Sequence, residues 1–185
     1  MHAFRKEDPA ISLGLNMRKL WSDHVFWTRD YIVTAIHDMP DAEAAAKRLL
    51  KNQDDIGNAI VPLYGRDAGS ELTRLLKEHI TIAVDLIAAA KVNDQPRFKE
   101  KDEQWTRNVD QIATFLSGAN PNWKKDDIVD LLGQHLSLTK DEVTARLKKD
   151  WEADVKAFDD IFTEILTVAD ALSDGIIKQF PDKFK

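Results

Sequence analysis

Five histidines occur in this chain, and three of them sit where chemistry is easiest to imagine. The string Leu75-Leu76-Lys77-Glu78-His79 returns as Leu131-Leu132-Gly133-Gln134-His135. A second string, W-x-x-(H/N/D)-V, occurs as Trp21-Ser22-Asp23-His24-Val25, Trp105-Thr106-Arg107-Asn108-Val109 and Trp151-Glu152-Ala153-Asp154-Val155. In a helix, positions i, i+3 and i+4 share a face, so each copy of the second string carries a polar group inward beside Trp and Val. Neutral imidazole is the commonest metal ligand, and imidazole with carboxylate suits iron, zinc or manganese. The pattern therefore predicts a buried site in which His24, His79, His135 and Asp154 ligate one metal ion. Asn108, Asn52 and Asp55 would orient the imidazoles or substitute for one of them. Trp21, Trp105 and Trp151 would line a pocket beside it.

Such a site needs helices to position it, and the rest of the chain reads as helices. Apolar spacing predicts one from 12 to 38, capped by Ser12, and an Ala-rich one from 41 that stops at Pro62, Tyr64 and Gly65. A third, capped by Asp67 or Ser70, runs from Leu72 to Ala90, and a fourth follows Pro96 and closes at Ser117-Gly118. A short fifth helix covers 124–136. The capping-box pattern Thr139-Lys140-Asp141-Glu142 opens a sixth that reaches about 178. No stretch alternates as a strand does. The expected fold is an all-α, up-down bundle of about six helices, four of them long core helices, in a single domain over residues 1–185. Counted from these starts, His24, Asn52 to Asp55, His79, Asn108 and Asp154 lie at similar heights, roughly 16 to 21 Å along their helices at 1.5 Å per residue. Gly57, in the polar middle of the second helix, marks a close approach of another segment.

Composition narrows the function classes. At 43% apolar and 31% charged the 185 residues are those of a soluble globular chain. The apolar runs are too short to span a bilayer, and Met1 to Pro9 lacks the apolar core of a secretory signal, so a cytoplasmic location is the default expectation. A net charge of −6 disfavours nucleic-acid binding. The absence of cysteine rules out disulfides and thiolate chemistry. H-E-x-x-H, G-x-x-x-x-G-K-[ST], G-x-G-x-x-G and G-x-S-x-G are all missing, and so is the Glu-x-x-His pair of ferritin-like di-iron proteins. Two rivals to the metal reading stand: a structural or interaction bundle whose buried hydrogen bonds fix helix register, and a small-molecule binder with a Trp-lined pocket.

The strings W-S-D-H-V-F-W-T-R, N-Q-D-D-I-G-N-A-I, S-G-A-N-P-N-W and K-Q-F-P resemble a family of uncharacterised prokaryotic helical proteins of about this length, over nearly the whole chain. Some of its members carry enzyme names, glycosyltransferase among them, which these residues do not support. In architecture alone, one histidine on each of several helices is similar to DinB-type bundles, and that likeness implies a three-histidine metal site between helices.

Overall fold

The structure, a computed structural model, describes residues 8–185. Residues 1–7, most of the stretch weighed as a secretory signal, lie outside it. The described chain is helical, with no strand among its residues, and none of its helices is long and apolar enough to cross a membrane.

Helix α1 spans Pro9–Ile36 and is capped by Asp8, whose carboxylate accepts from the N–H groups of Ala10 and Ile11; Ser12, the expected cap, is already inside the helix. Helix α2 spans Ala42–Lys91. The two helices expected here form one element broken at Gly65, whose φ of 86° and ψ of 170° are open only to glycine at low strain. Its arms fold back against each other. A Cβ on Gly57 would lie 2.6 Å from the Gly69 carbonyl oxygen, and one on Gly69 would lie 2.8 Å from that of Gly57, so the arms touch backbone to backbone. The close approach expected at Gly57 is present, and its partner is the same helix beyond the break.

Helix α3 spans Gln95–Ala119, capped by Asp94; α4 spans Lys125–Lys148; α5 spans Trp151–Gln179, capped by Asp150; a 3₁₀ turn, Pro181–Lys183, ends the chain. There are thus five helices among the described residues, and the division expected at 136–139 is absent. Thr139 is mid-helix, its hydroxyl donating to the His135 carbonyl, and Glu142 is occupied by Arg29 rather than by a cap. The chain turns instead at Lys149, with φ of 59°.

Neighbouring elements make a bundle in which α1 packs on α2 and α5, α2 on α3, and α4 on both α3 and α5. Three helical hairpins follow one plan: α1 with the first arm of α2, the second arm with α3, and α4 with α5. Each turns through a non-glycine residue in the left-handed region, Asp38, Asn93 or Lys149, at φ of 53°, 56° and 59°. The next residue then donates back to a carbonyl five positions earlier: Met39 to Thr34, Asp94 to Ala89, and Asp150 to Ala145, at 2.9, 2.9 and 3.0 Å. This Schellman closure satisfies a carbonyl that the helix end leaves open. His24, His79 and His135 each stand fourteen residues before one of these left-handed turns, so the hairpins bring all three to one level.

Candidate functional site

Each histidine hydrogen-bonds through Nδ1 to a residue 29 positions later, on the returning helix of its own hairpin. For His79 that partner is Asn108. Because the Asn108 amide nitrogen donates to the Leu75 carbonyl, its oxygen must accept from His79 Nδ1–H, at 2.9 Å. The second nitrogen of His79, Nε2, accepts from the Trp105 indole N–H at 3.1 Å. Both ring nitrogens are engaged, and the tautomer is fixed.

The first hairpin repeats this with changed roles. Asn52 donates to the Leu20 carbonyl as Asn108 does to Leu75. Gln53 Nε2 donates one hydrogen to the Leu49 carbonyl at 2.8 Å and shares the other between Asn52 Oδ1 at 3.2 Å and His24 Nδ1 at 3.3 Å. His24 therefore accepts at Nδ1 and carries its proton on Nε2. In the third hairpin His135 Nδ1 donates to Glu164 Oε2 at 3.0 Å. The rings of His24 and His135 lie 5.6 Å apart, and those of His79 and His135 6.4 Å. His24 Nε2–H and His135 Nε2 have no hydrogen-bond partner among the described residues.

Burial keeps His24 and His79 neutral. It pushes the His24 pKa well below the ordinary 6.5, with repulsion from the other two imidazoles adding to it. His79 is lowered to about 3, again chiefly by burial and then by His135, against the pull of its bond to Asn108.

On one side of the layer lies a cavity of about 30 Å³ with almost wholly apolar walls, among them Met17, Ile60, Leu76, Leu116 and Leu172. Trp123, from the link between α3 and α4, also lines it, as do all three histidines and Trp21. The Trp21 indole N–H is buried and has no acceptor among the described residues. A smaller void on the layer's other side is lined by the same three histidines together with Trp105, Tyr31 and Thr139.

The other residues marked in the sequence are placed elsewhere. Asp154 is buried, but it forms an ionic knot in which it accepts from Arg29 at 2.9 Å and Arg146 at 2.8 Å, while Arg29 also meets Glu142 at 2.5 Å. It lies ten residues before Glu164 on α5, about 15 Å along the axis. Asp55 faces outward to Lys51 and Arg48. Trp151 is 49% exposed and covers the Arg146 guanidinium at 5.0 Å, so it lines no pocket. Of the expected set, His24, His79, His135, Asn52, Asn108, Trp21 and Trp105 come together; Asp154, Asp55 and Trp151 do not.

Gln53 and Glu164 belong to the layer although no sequence motif marks them. Glu164 follows from the height argument itself once α5 is given its observed start: counted from Trp151 it is the fourteenth residue, where Asn108 stands in α3. Gln53 is the neighbour of Asn52 on the inward face of α2, which continues at Ile56 and Gly57. Among the described residues no group of three or more His, Asp or Glu side chains is arranged to hold a metal ion. No family model, no curated protein and no solved structure matches the chain.

Proposed function

We propose that this bundle is a binding protein for a small, largely apolar molecule, held in the cavity that ends on the histidine layer. One observation carries the reading. An apolar cavity in the middle of the core is lined by three buried residues, His24, His135 and Trp21, each with a ring nitrogen that no other described residue answers. Apolar walls with a few converging polar groups are the usual make-up of a small-molecule site, and unpaired buried polar groups cost about 1 to 3 kcal/mol each until something answers them. At about 30 Å³ the cavity as it stands admits a molecule of one or two heavy atoms, so a short hydrocarbon ending in a hydroxyl or a neutral amide enters only as the walls part. The test is a titration of n-butanol and benzene followed by tryptophan fluorescence and amide NMR shifts. Saturable shifts confined to the cavity wall, abolished in a Val168→Phe variant that fills the space, support the reading. Their absence at any concentration the fold tolerates would overturn it.

A second reading, a metal ion between His24, His79 and His135, is favoured by the outward turn of each Nδ1 to its own hairpin partner, an arrangement that leaves Nε2 to a ligand. It would require Trp105 to release His79 Nε2 and His24 to change tautomer against the orientation of Gln53. Iron, zinc and manganese salts added in turn to protein without a histidine tag, followed by metal analysis, decide it. Asp154 plays no part in this version of the site.

A further inference from the structure

Helix α1 carries two stripes. One, through Met17, Trp21, His24, Val25 and Thr28, is buried in the core. The other, Ile11, Leu15, Arg18, Ser22, Phe26 and Arg29, keeps the four-and-three spacing by which one helix packs on another. It runs along the outer edge of the contact between α1 and α5. Arg18 forms a bidentate pair with Asp170, and Arg29 pairs with Asp154. Between these two pairs Phe26 rests on Phe158 and Phe162, with ring centroids 5.6 and 5.5 Å away. The apolar members of this stripe nevertheless open to solvent: Phe26 is 52% exposed and Leu15 62%, and Ile11 and Val155 are exposed as well.

A single exposed phenylalanine needs no explanation, but three rings in mutual contact, with Val155 one turn before Phe158, make a contiguous apolar patch. Ile11 and Leu15 continue it beyond Arg18. Other outer seams of the bundle are crossed by charges instead. Arg48 lies between Asp23 and Asp55 where α1 meets α2, Lys101 of α3 reaches Asp85 of α2, and Lys140 of α4 reaches Asp102 of α3. On the α1–α5 face the exposed charges flanking the rings are Arg18 and Asp170, opposite in sign, level with each other and each about half open to solvent.

We propose that the α1–α5 face binds a second copy of this chain about a two-fold axis parallel to the helices. A two-fold interface joins the same patch on both copies, so the patch must complement itself. An axis along the helices keeps every residue at its own height and exchanges the two sides, which sets α1 against α5 of the other copy. Arg18 then faces the partner's Asp170, and Phe26 faces the partner's Phe158 and the partner's Phe162. An axis across the helices would set α1 against α1 with its direction reversed, and the ionic and aromatic levels would not both meet their match. From Ile11 to Phe26 the face runs about 22 Å, and two adjacent helices make it about 20 Å wide, on the order of 450 Å² per copy. A standard interface takes roughly 800 Å² from each partner, so this pair is a weak one that separates on dilution. The residues of the face are not among those lining the core cavity, and the inference does not depend on the ligand reading.

Sedimentation velocity of the full chain, from about 5 to about 500 μM to bracket weak association, should show a shift from one chain to two and no larger species, because a two-fold contact closes on itself. Phe26→Ser, at an exposed ring, should weaken association at least about tenfold while a cooperative melt persists. The charges test the axis. Arg18→Asp sets carboxylate against the partner's Asp170, and Asp170→Arg sets guanidinium against the partner's Arg18, so each variant alone should stay a single chain. Both should fold, since an exposed ion pair contributes little to stability. Mixed in equal amounts, the two variants face each other with opposite charges and should pair again. A parent that remains a single chain throughout the range, or association that survives Phe26→Ser, would overturn the proposal. So would charge variants that associate alone as the parent does, or that fail to recover on mixing. Flotation of the parent with phosphatidylcholine vesicles in place of self-association would assign the face to a lipid surface, and a dimer that forms only after residues 1–7 are deleted would assign it to that segment; either result sets the second copy aside.

Discussion

The histidine layer and the ionic knot are both buried polar clusters in one bundle, and they solve the same problem in opposite ways. His24 and His79 give up charge: burial holds them neutral, and their hydrogen bonds are neutral ones fixed by amides and an indole. The knot of Arg29, Glu142, Arg146 and Asp154 pairs guanidinium groups with carboxylates across α1, α4 and α5. Arg29 is strengthened as a cation by Asp154 and Glu142 although burial works against it. Glu142 goes the other way, its pKa raised to about 7 because burial outweighs Arg29 and Asp154 adds repulsion. Neutral imidazoles leave room for an apolar ligand beside them. A charged knot does not, and its task is to tie α1 to the turn between α4 and α5.

Removing a member of the knot should therefore have the largest effect. Asp154→Ala leaves two guanidinium groups facing a pocket with one carboxylate, and breaking a buried ion pair on one side costs about 3 to 5 kcal/mol. Denaturant melts at pH 7.5 measure it. A loss under about 1 kcal/mol would mean that water reaches the knot and that it resembles a surface pair.

The two clusters should also respond to acid with opposite sign. Below the unfolded histidine value of 6.5, the unfolded chain binds protons that His24 and His79 refuse, so each removes up to about 1.4 kcal/mol of stability per pH unit as pH falls, for His79 until about pH 3. Glu142 holds a proton from about pH 7 that the unfolded chain takes up only near 4.5, so over that window it adds up to about 1.4 kcal/mol per unit as pH falls. Between pH 6.5 and 4.5 one histidine and Glu142 offset each other. Relative to the parent, His79→Gln should flatten the decline and Glu142→Gln should steepen it, each by about 1.4 kcal/mol per unit. Melts at pH 6.5, 5.5 and 4.5 compare the three proteins. Identical slopes would mean that neither group differs in protonation between folded and unfolded chains.

Much of this contrast is legible in the amino-acid sequence. Apolar spacing locates the helices, the two L-L-x-x-H strings pick out His79 and His135, and W-x-x-H adds His24. The first hairpin carries the same pattern as Leu20-Trp21-Ser22-Asp23-His24, with Trp21 where the other copies have leucine, and that exchange hides the threefold repeat. Asp154 is misplaced by the sequence pattern because Thr139 and Glu142 imitate a capping box. Local pattern cannot distinguish a threonine that caps from one that bonds the preceding turn, and Lys149 in a left-handed conformation carries no signal that a glycine would have given. Counting the last helix from Thr139 instead of Trp151 adds about 18 Å to the inferred height of every later residue, which selects the knot's carboxylate in place of Glu164. Side-chain direction is the other gap: Asn52 to Asp55 are consecutive, and packing on α1 turns Asn52 and Gln53 inward to Leu20 and His24, while Asp54 meets Lys77 across the fold-back and Asp55 meets Lys51 on its own helix.

The smallest expected effect is also the sharpest on whether the neutral layer can become a metal site. Trp105 donates the one hydrogen bond that occupies His79 Nε2, and the ring is buried against it at 5.0 Å between centroids. Trp105→Phe keeps an aromatic ring in the core and removes the donor, which should cost about 1 kcal/mol for the bond, with a further contribution from the smaller ring. It also leaves all three Nε2 atoms without a protein donor. If the layer's role is to border an apolar cavity, Co(II) added to the variant should give no visible d–d absorption, because His24 still carries its proton on Nε2 under the hold of Gln53. A tetrahedral cobalt spectrum in Trp105→Phe and not in the parent would show that one indole separates this layer from a three-histidine metal centre. The same spectrum in the parent would establish the metal reading outright and displace the neutral one.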